Sequence, residues 1–278
     1  INITNSSFIN NMALNGSVNY NTNSATLNII QSEFKDNTAN DKGGINYNNK
    51  SYMNITDSKF TNNTGVVGGI NFNNNSYVNI TNVNFTNNKA RSNSSINYNE
   101  NTNITILDSN FTNNTSGPVG INSNVNTNIT LQNLIFTNIT FSGYGMEKSV
   151  NSTQIVQNVT YINTISSGTG GVFEASDSTI IMDNVIFNQT SSSGPGGVFN
   201  ITNTTVNATN VNFTDCNASN GGVFNTLNSR INLTNVNFTR CNTTGGNGGV
   251  IASTNSNITI SNANFNTTYA RSTGGAFS

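Results

Sequence analysis

The sequence predicts an all-β fold: a right-handed parallel β-helix of about eleven coils, each of 25–27 residues. Three observations predict it. An aromatic residue recurs at that spacing through the whole chain, at Phe8, Phe34, Phe60, Phe85, Phe111, Phe136, Tyr161, Phe187, Phe213, Phe238 and Phe265. Apolar residues precede it with a period of two, the rhythm of strands. A Gly-Gly pair recurs upstream of it, at 43–44, 68–69, 170–171, 196–197, 221–222 and 248–249.

The parts of the repeat follow in order. Five residues before the aromatic stands an aliphatic residue, as at Ile3, Ile29, Ile55 and Ile80, and seven before it another, as at Leu27, Met53 and Val78. That pair makes a strand with one inward face. A two-residue step then carries Asn, Asp or Gln at its second place in every unit, from Asn5 to Asn262. Asn tolerates the left-handed backbone a tight corner needs. The aromatic opens the next strand, and Gly-Gly supplies a second corner. Each unit reads as one coil of three short strands.

A coil this small cannot bury its own apolar face, so coils must stack. Stacking sets like residues about 4.8 Å apart and gives a rod roughly 50 Å long. The aromatic column becomes an internal stack. Three residues after it stand Asn11, Asn37, Asn63, Asn88 and Asn114, spaced for a ladder of amide bonds from coil to coil. Later coils place Ile139, Thr164, Thr190, Cys216, Cys241 and Thr268 there. The six-residue rhythm of left-handed solenoids is absent. Disordered Asn-rich low complexity is the alternative; a register kept by several independent columns argues against it.

A single β-helix is expected over residues 1–278, with a junction between two coil subtypes at 137–166. The coil there lacks Gly-Gly, and Met146 and Gln154 take places usually held by aliphatics. Before it an aromatic lies two residues after the apolar residue that follows Gly-Gly (Tyr20, Tyr47, Phe72, Tyr98); after it the aromatic lies one residue after (Phe173, Phe199, Phe224, Phe277). A one-residue change reverses the face a side chain points to. The rows are either core packing or an exposed stripe suited to sugars or a partner, with core packing the expectation.

Composition narrows the function. The net charge is −1, only 8% of residues are charged, and there is no His. That argues against nucleic acid or an anionic membrane as the main partner. No apolar run is long enough to insert as a membrane helix. The chain has neither an initiator Met nor a signal peptide, so it is expected to be processed material or part of something longer. Partners are expected to be the chain itself, end to end or by continuation, and glycans.

The alternation of "GGI" or "GGVF" with "FxxN" resembles the polymorphic outer membrane protein repeat family. Here it appears as "FINN" (8–11), "FKDN" (34–37), "FTNN" (60–63, 85–88, 111–114) and "GGVF" (170–173, 196–199, 221–224). The resemblance covers nearly the whole chain. It implies a secreted, adhesive or scaffolding β-helix at a cell surface. The later coils lose the Asn of "FxxN" and no anchoring barrel segment is present, so bacterial autotransport is not implied. Similar repeats look at home in protist surface proteins.

Sugar acceptors dominate the remaining signal. The chain has 64 Asn and 29 N-x-S/T acceptors, against about 16 expected by chance. In "NFT" the Phe points inward, so Asn and Thr point outward together. Candidate N-glycosylation sites are Asn2, Asn54, Asn79, Asn84, Asn103, Asn110, Asn128, Asn207, Asn212, Asn232, Asn237 and Asn257. No cofactor is expected beyond covalent N-glycans, which are bulky and solubilising.

The expected function is therefore an extracellular structural glycoprotein, a segment of a surface fibre, coat or filament. An adhesin or carbohydrate-binding module is the alternative. A polysaccharide lyase or hydrolase would need clustered carboxylates, and the densest group is only Glu174, Asp177 and Asp183, so an enzyme is not expected. Glu174 with Lys148, and Asp215 with Arg240, share columns and read as ion pairs. Cys216 and Cys241 also share a column, at a Cα spacing that a disulfide allows; two buried free thiols are the other reading. No His joins them to make a metal site.

Overall fold

The computed structural model describes residues 1–278. Every regular element is a strand, and every pairing between strands is parallel. The chain winds as a β-solenoid of about ten turns. One large sheet holds 23 strands and a second holds ten, one per turn. Register runs unbroken along the rod: Phe34, Phe60, Phe85 and Phe111 pair in succession. It continues through residues 137–166, where Phe136 pairs with Tyr161 and Glu147 with Phe173.

A turn has four arms rather than three. In the third turn they are Asn46–Asn49, Tyr52–Thr56, Lys59–Thr61 and Thr64–Gly65. The corners between them use Lys50, Asp57 and Asn62, all with positive φ, and the return to the first arm uses a glycine with positive φ, Gly68. Three left-handed non-glycine corners thus recur per turn, mostly Asn. That is one structural use of the chain's Asn content, because Asn bears this conformation at least cost. Sequence reading found only the middle one. The second glycine of each pair has a different reason. A Cβ on Gly171 would lie 2.0 Å from the Gly197 carbonyl of the next turn.

The core is one continuous cluster of buried side chains. The aromatic column stacks along the whole rod, with neighbouring centroids 4.6–5.2 Å apart. Phe173, Phe199 and Phe224 make a second internal stack, set edge-on to the first; Tyr161 and Phe173 meet at 76°. The earlier row faces the other way. Tyr20 is exposed, Tyr47 and Tyr98 partly so, and their places inside are taken by asparagines. The expectation of core packing fails for this row. The backbone keeps one register, and the aromatic has moved by one residue onto the outer parity.

Buried asparagines are held by ladders. In the first, Asn88 accepts at Oδ1 from the backbone N–H (3.0 Å) and Nδ2 (3.1 Å) of Asn63. Its own Nδ2 donates to the Phe60 carbonyl at 2.9 Å and to Asn114 Oδ1 at 3.1 Å. Asn11, Asn37 and Asn63 continue the pattern toward the first turn. Asn88→Ala should cost about 2–3 kcal/mol in urea unfolding, because it orphans several buried groups at once. Asn88→Asp should cost more, since a carboxylate cannot donate to Phe60 or Asn114; a neutral result for either change would refute the ladder's role.

Two further internal ladders escaped sequence reading. Asn19, Asn46, Asn71, Asn97 and Asn122 form one, and Asn21, Asn48, Asn73, Asn99 and Asn124 the other. A hydroxyl ladder also lines one corner: Ser152 N–H donates to Ser178 Oγ, and Ser152 Oγ donates back to the Val150 carbonyl. The signal was present, as alternate Asn around each early aromatic. It was masked because an aromatic is the stronger candidate for the core.

Candidate functional site

No cleft organises the surface; the outer faces are the site to consider. They are built by parity. In Asn84–Thr86 the ring of Phe85 is fully buried, Asn84 is exposed and Thr86 partly so. The same holds at Asn110, Asn212 and Asn237, each beside a buried Phe. Asn2, Asn79, Asn103, Asn128 and Asn257 are exposed, and Asn54, Asn207 and Asn232 partly so. All twelve candidate acceptors therefore lie on outward parity.

These asparagines also bond one another. Asn54 Nδ2 donates to Asn28 Oδ1 at 2.9 Å, and Asn79 Nδ2 to Asn54 Oδ1 at 3.0 Å. Asn110 donates to Asn84, Asn128 to Asn103, Asn232 to Asn207 and Asn237 to Asn212. Nδ2 is the atom a sugar would occupy. Asn2, Asn84, Asn103, Asn207 and Asn212 begin these rows, so they accept at Oδ1 while Nδ2 makes no bond within the chain. They are the acceptors with least to lose on modification.

Ladder polarity explains where the acids sit. Outer rows donate from each turn to the one before it. A carboxylate only accepts, so it can only begin such a row. Asp57 accepts from Asn82 at 2.6 Å and Asp108 from Asn133 at 2.7 Å, each at the start of its row. The internal ladders run the opposite way, and their acid sits at the far end. Asn122 Nδ2 donates to both carboxylate oxygens of Glu147, at 3.0 and 2.9 Å, and the next residue in that column is Phe173. Glu147 ends the amide ladder where the core turns aromatic.

Glu147 is fully buried, and burial pushes its pKa up to about 8 against the pull of the Asn122 bonds. The turn around it gathers other polar groups. Tyr161, the one tyrosine in the aromatic column, has no partner for its hydroxyl; burial, and then the Glu147 charge, push its pKa well up. Gln154 Nε2 donates to Ser149 Oγ, and Gln154 Oε1 has no partner.

The other acids stand apart. Glu174 accepts from Thr169 at 2.9 Å and Asn200 at 2.8 Å, and its pKa is raised chiefly by burial. It is not ion-paired: Lys148 shares its column, but Lys148 Nζ lies over the Tyr144 ring, 4.7 Å from the centroid. Asp177 accepts from Asn203 and Asp183 from Asn210. Arg240 does clasp Asp215 with two bonds of 2.7 and 2.8 Å, which hold the Asp215 carboxyl below its usual pKa. Exposed pairs of this kind contribute little.

Cys216 and Cys241 are buried neighbours in adjacent turns, and their thiols are free in this structure. Cys216 accepts from Thr190 Oγ1 at 3.2 Å, and burial pushes its thiol pKa well up.

The exposed aromatics are poor sugar platforms. Tyr20, Tyr47, Phe72 and Tyr98 stack within 8° of parallel, so their faces cover each other; the tyrosine edges meet solvent, while Phe72 is buried with Lys42 Nζ 4.8 Å from its centroid. Tyr52 and Tyr77, about half exposed, stack the same way at 5.2 Å beside a shallow depression of about 210 Å³. No family model matches this chain, and no curated protein and no solved structure shows significant similarity to it.

Proposed function

We propose that this chain is a structural rod of an extracellular surface fibre or coat, carrying N-linked glycans on its outer faces. The observation that carries the reading is parity. Buried rings alternate with outward Asn and Thr in acceptor order, turn after turn, on faces that are mostly uncharged. The amide ladders give the outer asparagines a second role that needs no sugar, so occupancy is the deciding measurement. Row starts such as Asn84 and Asn212 should be modified first, because neighbouring acceptors are only about 4.8 Å apart.

Secretion from a eukaryotic host, followed by enzymatic glycan release and mass measurement, tests this. Several glycans per chain are expected; fewer than a few sugars per molecule would sink the glycoprotein reading. The adhesin reading rests on Tyr52 and Tyr77; a glycan-array signal abolished by Tyr52→Ala would favour it.

A further inference from the structure

Two columns of outward residues flank the buried aromatic stack, one before each ring and one after it. From the fourth turn onward neither holds a charge; earlier they carry Glu33, Lys35 and Lys59. The first column reads Asn84, Asn110, Ile135, Thr160, Ile186, Asn212, Asn237, in register. It is the same in both directions about Thr160. The second column runs Thr112, Thr137, Ile162, Asn188, Thr214 and is nearly symmetric about Ile162. Ile135 is 47% exposed and Ile186 40%; Ile165 and Ile181, on the arms to either side, are exposed to a similar degree.

A contact between identical subunits on a twofold axis requires a surface that complements itself. Consider an axis parallel to the strands, passing over Thr160 and Ile162. It reverses the rod while keeping each column opposite itself. Ile135 then meets Ile186 of the second copy, Ile162 meets Ile162, and Asn110 meets Asn212. Apolar groups cover apolar groups, amides face amides, and no like charges are opposed.

We propose that this strip is a self-association face, through which two copies of the chain pair antiparallel on a twofold axis at Thr160. Sheets packed face to face lie about 10 Å apart, which leaves no room for a sugar. Pairing and glycosylation at Asn110 and Asn212 therefore exclude each other, and sugars there keep rods apart. That last clause rests on the glycan reading; the pairing does not.

The full chain from a host that adds no N-glycans tests the pairing. In concentrated solution its sedimentation mass should be twice that of one chain, and Ile135→Lys with Ile186→Lys should return it to one chain with an unchanged β spectrum. A short thiol–thiol crosslinker should join copies of Thr160→Cys. It should leave Thr86→Cys unjoined, because its two copies would lie about 29 Å apart at 4.8 Å per turn. The native thiols are buried and do not interfere. A bare protein that stays monomeric, or equal crosslinking of both variants, overturns the proposal. In a glycosylating host the chain should be monomeric, and Asn84→Gln, Asn110→Gln, Asn212→Gln and Asn237→Gln together should restore the dimer. Absence of any glycan mass there would refute the glycan reading while leaving the pairing intact.

Discussion

Phe111→Ala should destabilise the rod by about 3–5 kcal/mol, the range for emptying a fully buried aromatic site. Phe111 is completely buried and stacks on Phe85 at 4.8 Å and Phe136 at 4.6 Å. Both contacts vanish at once, and each aromatic pair contributes roughly 0.5–1.5 kcal/mol beyond its buried area. The backbone around the cavity cannot collapse, because each turn is pinned in register by the turns on both sides. Phe8→Ala is the internal control. Phe8 is partly exposed and stacks on one ring only, Phe34, so its loss should cost far less. A solenoid's stability is approximately a sum of turn and neighbour terms, so a mid-rod defect should also split urea unfolding, followed by circular dichroism, into two steps. Equal losses for Phe8→Ala and Phe111→Ala would contradict a continuous stack that carries the core.

The second large effect concerns Glu147 and should appear as a pH dependence. Its folded pKa, about 8, lies above the ordinary value of 4.5. The folded form therefore binds the proton more tightly than the unfolded chain does. The associated stability is fully present below about pH 4.5 and is lost as pH rises toward 8, because folding must then either take up a proton or bury a charge. At 1.36 kcal/mol per pH unit the loss is on the order of 5 kcal/mol. Glu147→Gln should remove that slope. Its Oε1 can still accept from Asn122, but its Nε2 would face Phe173 with nothing to donate to, at a cost of about 1–3 kcal/mol. The two stability curves should cross: wild type the more stable in acid, the variant above pH 8. Parallel curves from pH 5 to 9 would show that Glu147 is not the titrating group.

Much of this was legible in the sequence, for one reason. A solenoid turns sequence period into spatial column, so residues 25–27 apart become neighbours and any pattern at that spacing is a contact pattern. The Phe stack and the Asn11–Asn114 ladder could be read that way because each column holds one residue type against a varied background. The ladders through Asn19 and Asn21 could not, because Tyr20 between them competes for the same inference. Hydrophobicity places the ring inside, and in this arm it is the amides that go in. They can do so because each buried donor finds an acceptor one turn away, except at the end of one ladder, where Asn124 Nδ2 has none.

What the sequence by itself determined is the pitch, the register and the alternation of inward and outward positions, since those follow from spacing and a period of two. Only the tertiary structure decided which parity of the first arm faces inward and which way each amide row runs. These depend on quantities a linear pattern lacks. Left-handed corners fix the orientation of every arm. A row's direction depends on which neighbour has a free acceptor. Parallel strands hold equivalent side chains side by side at a constant separation, close enough for rings and amides to stack.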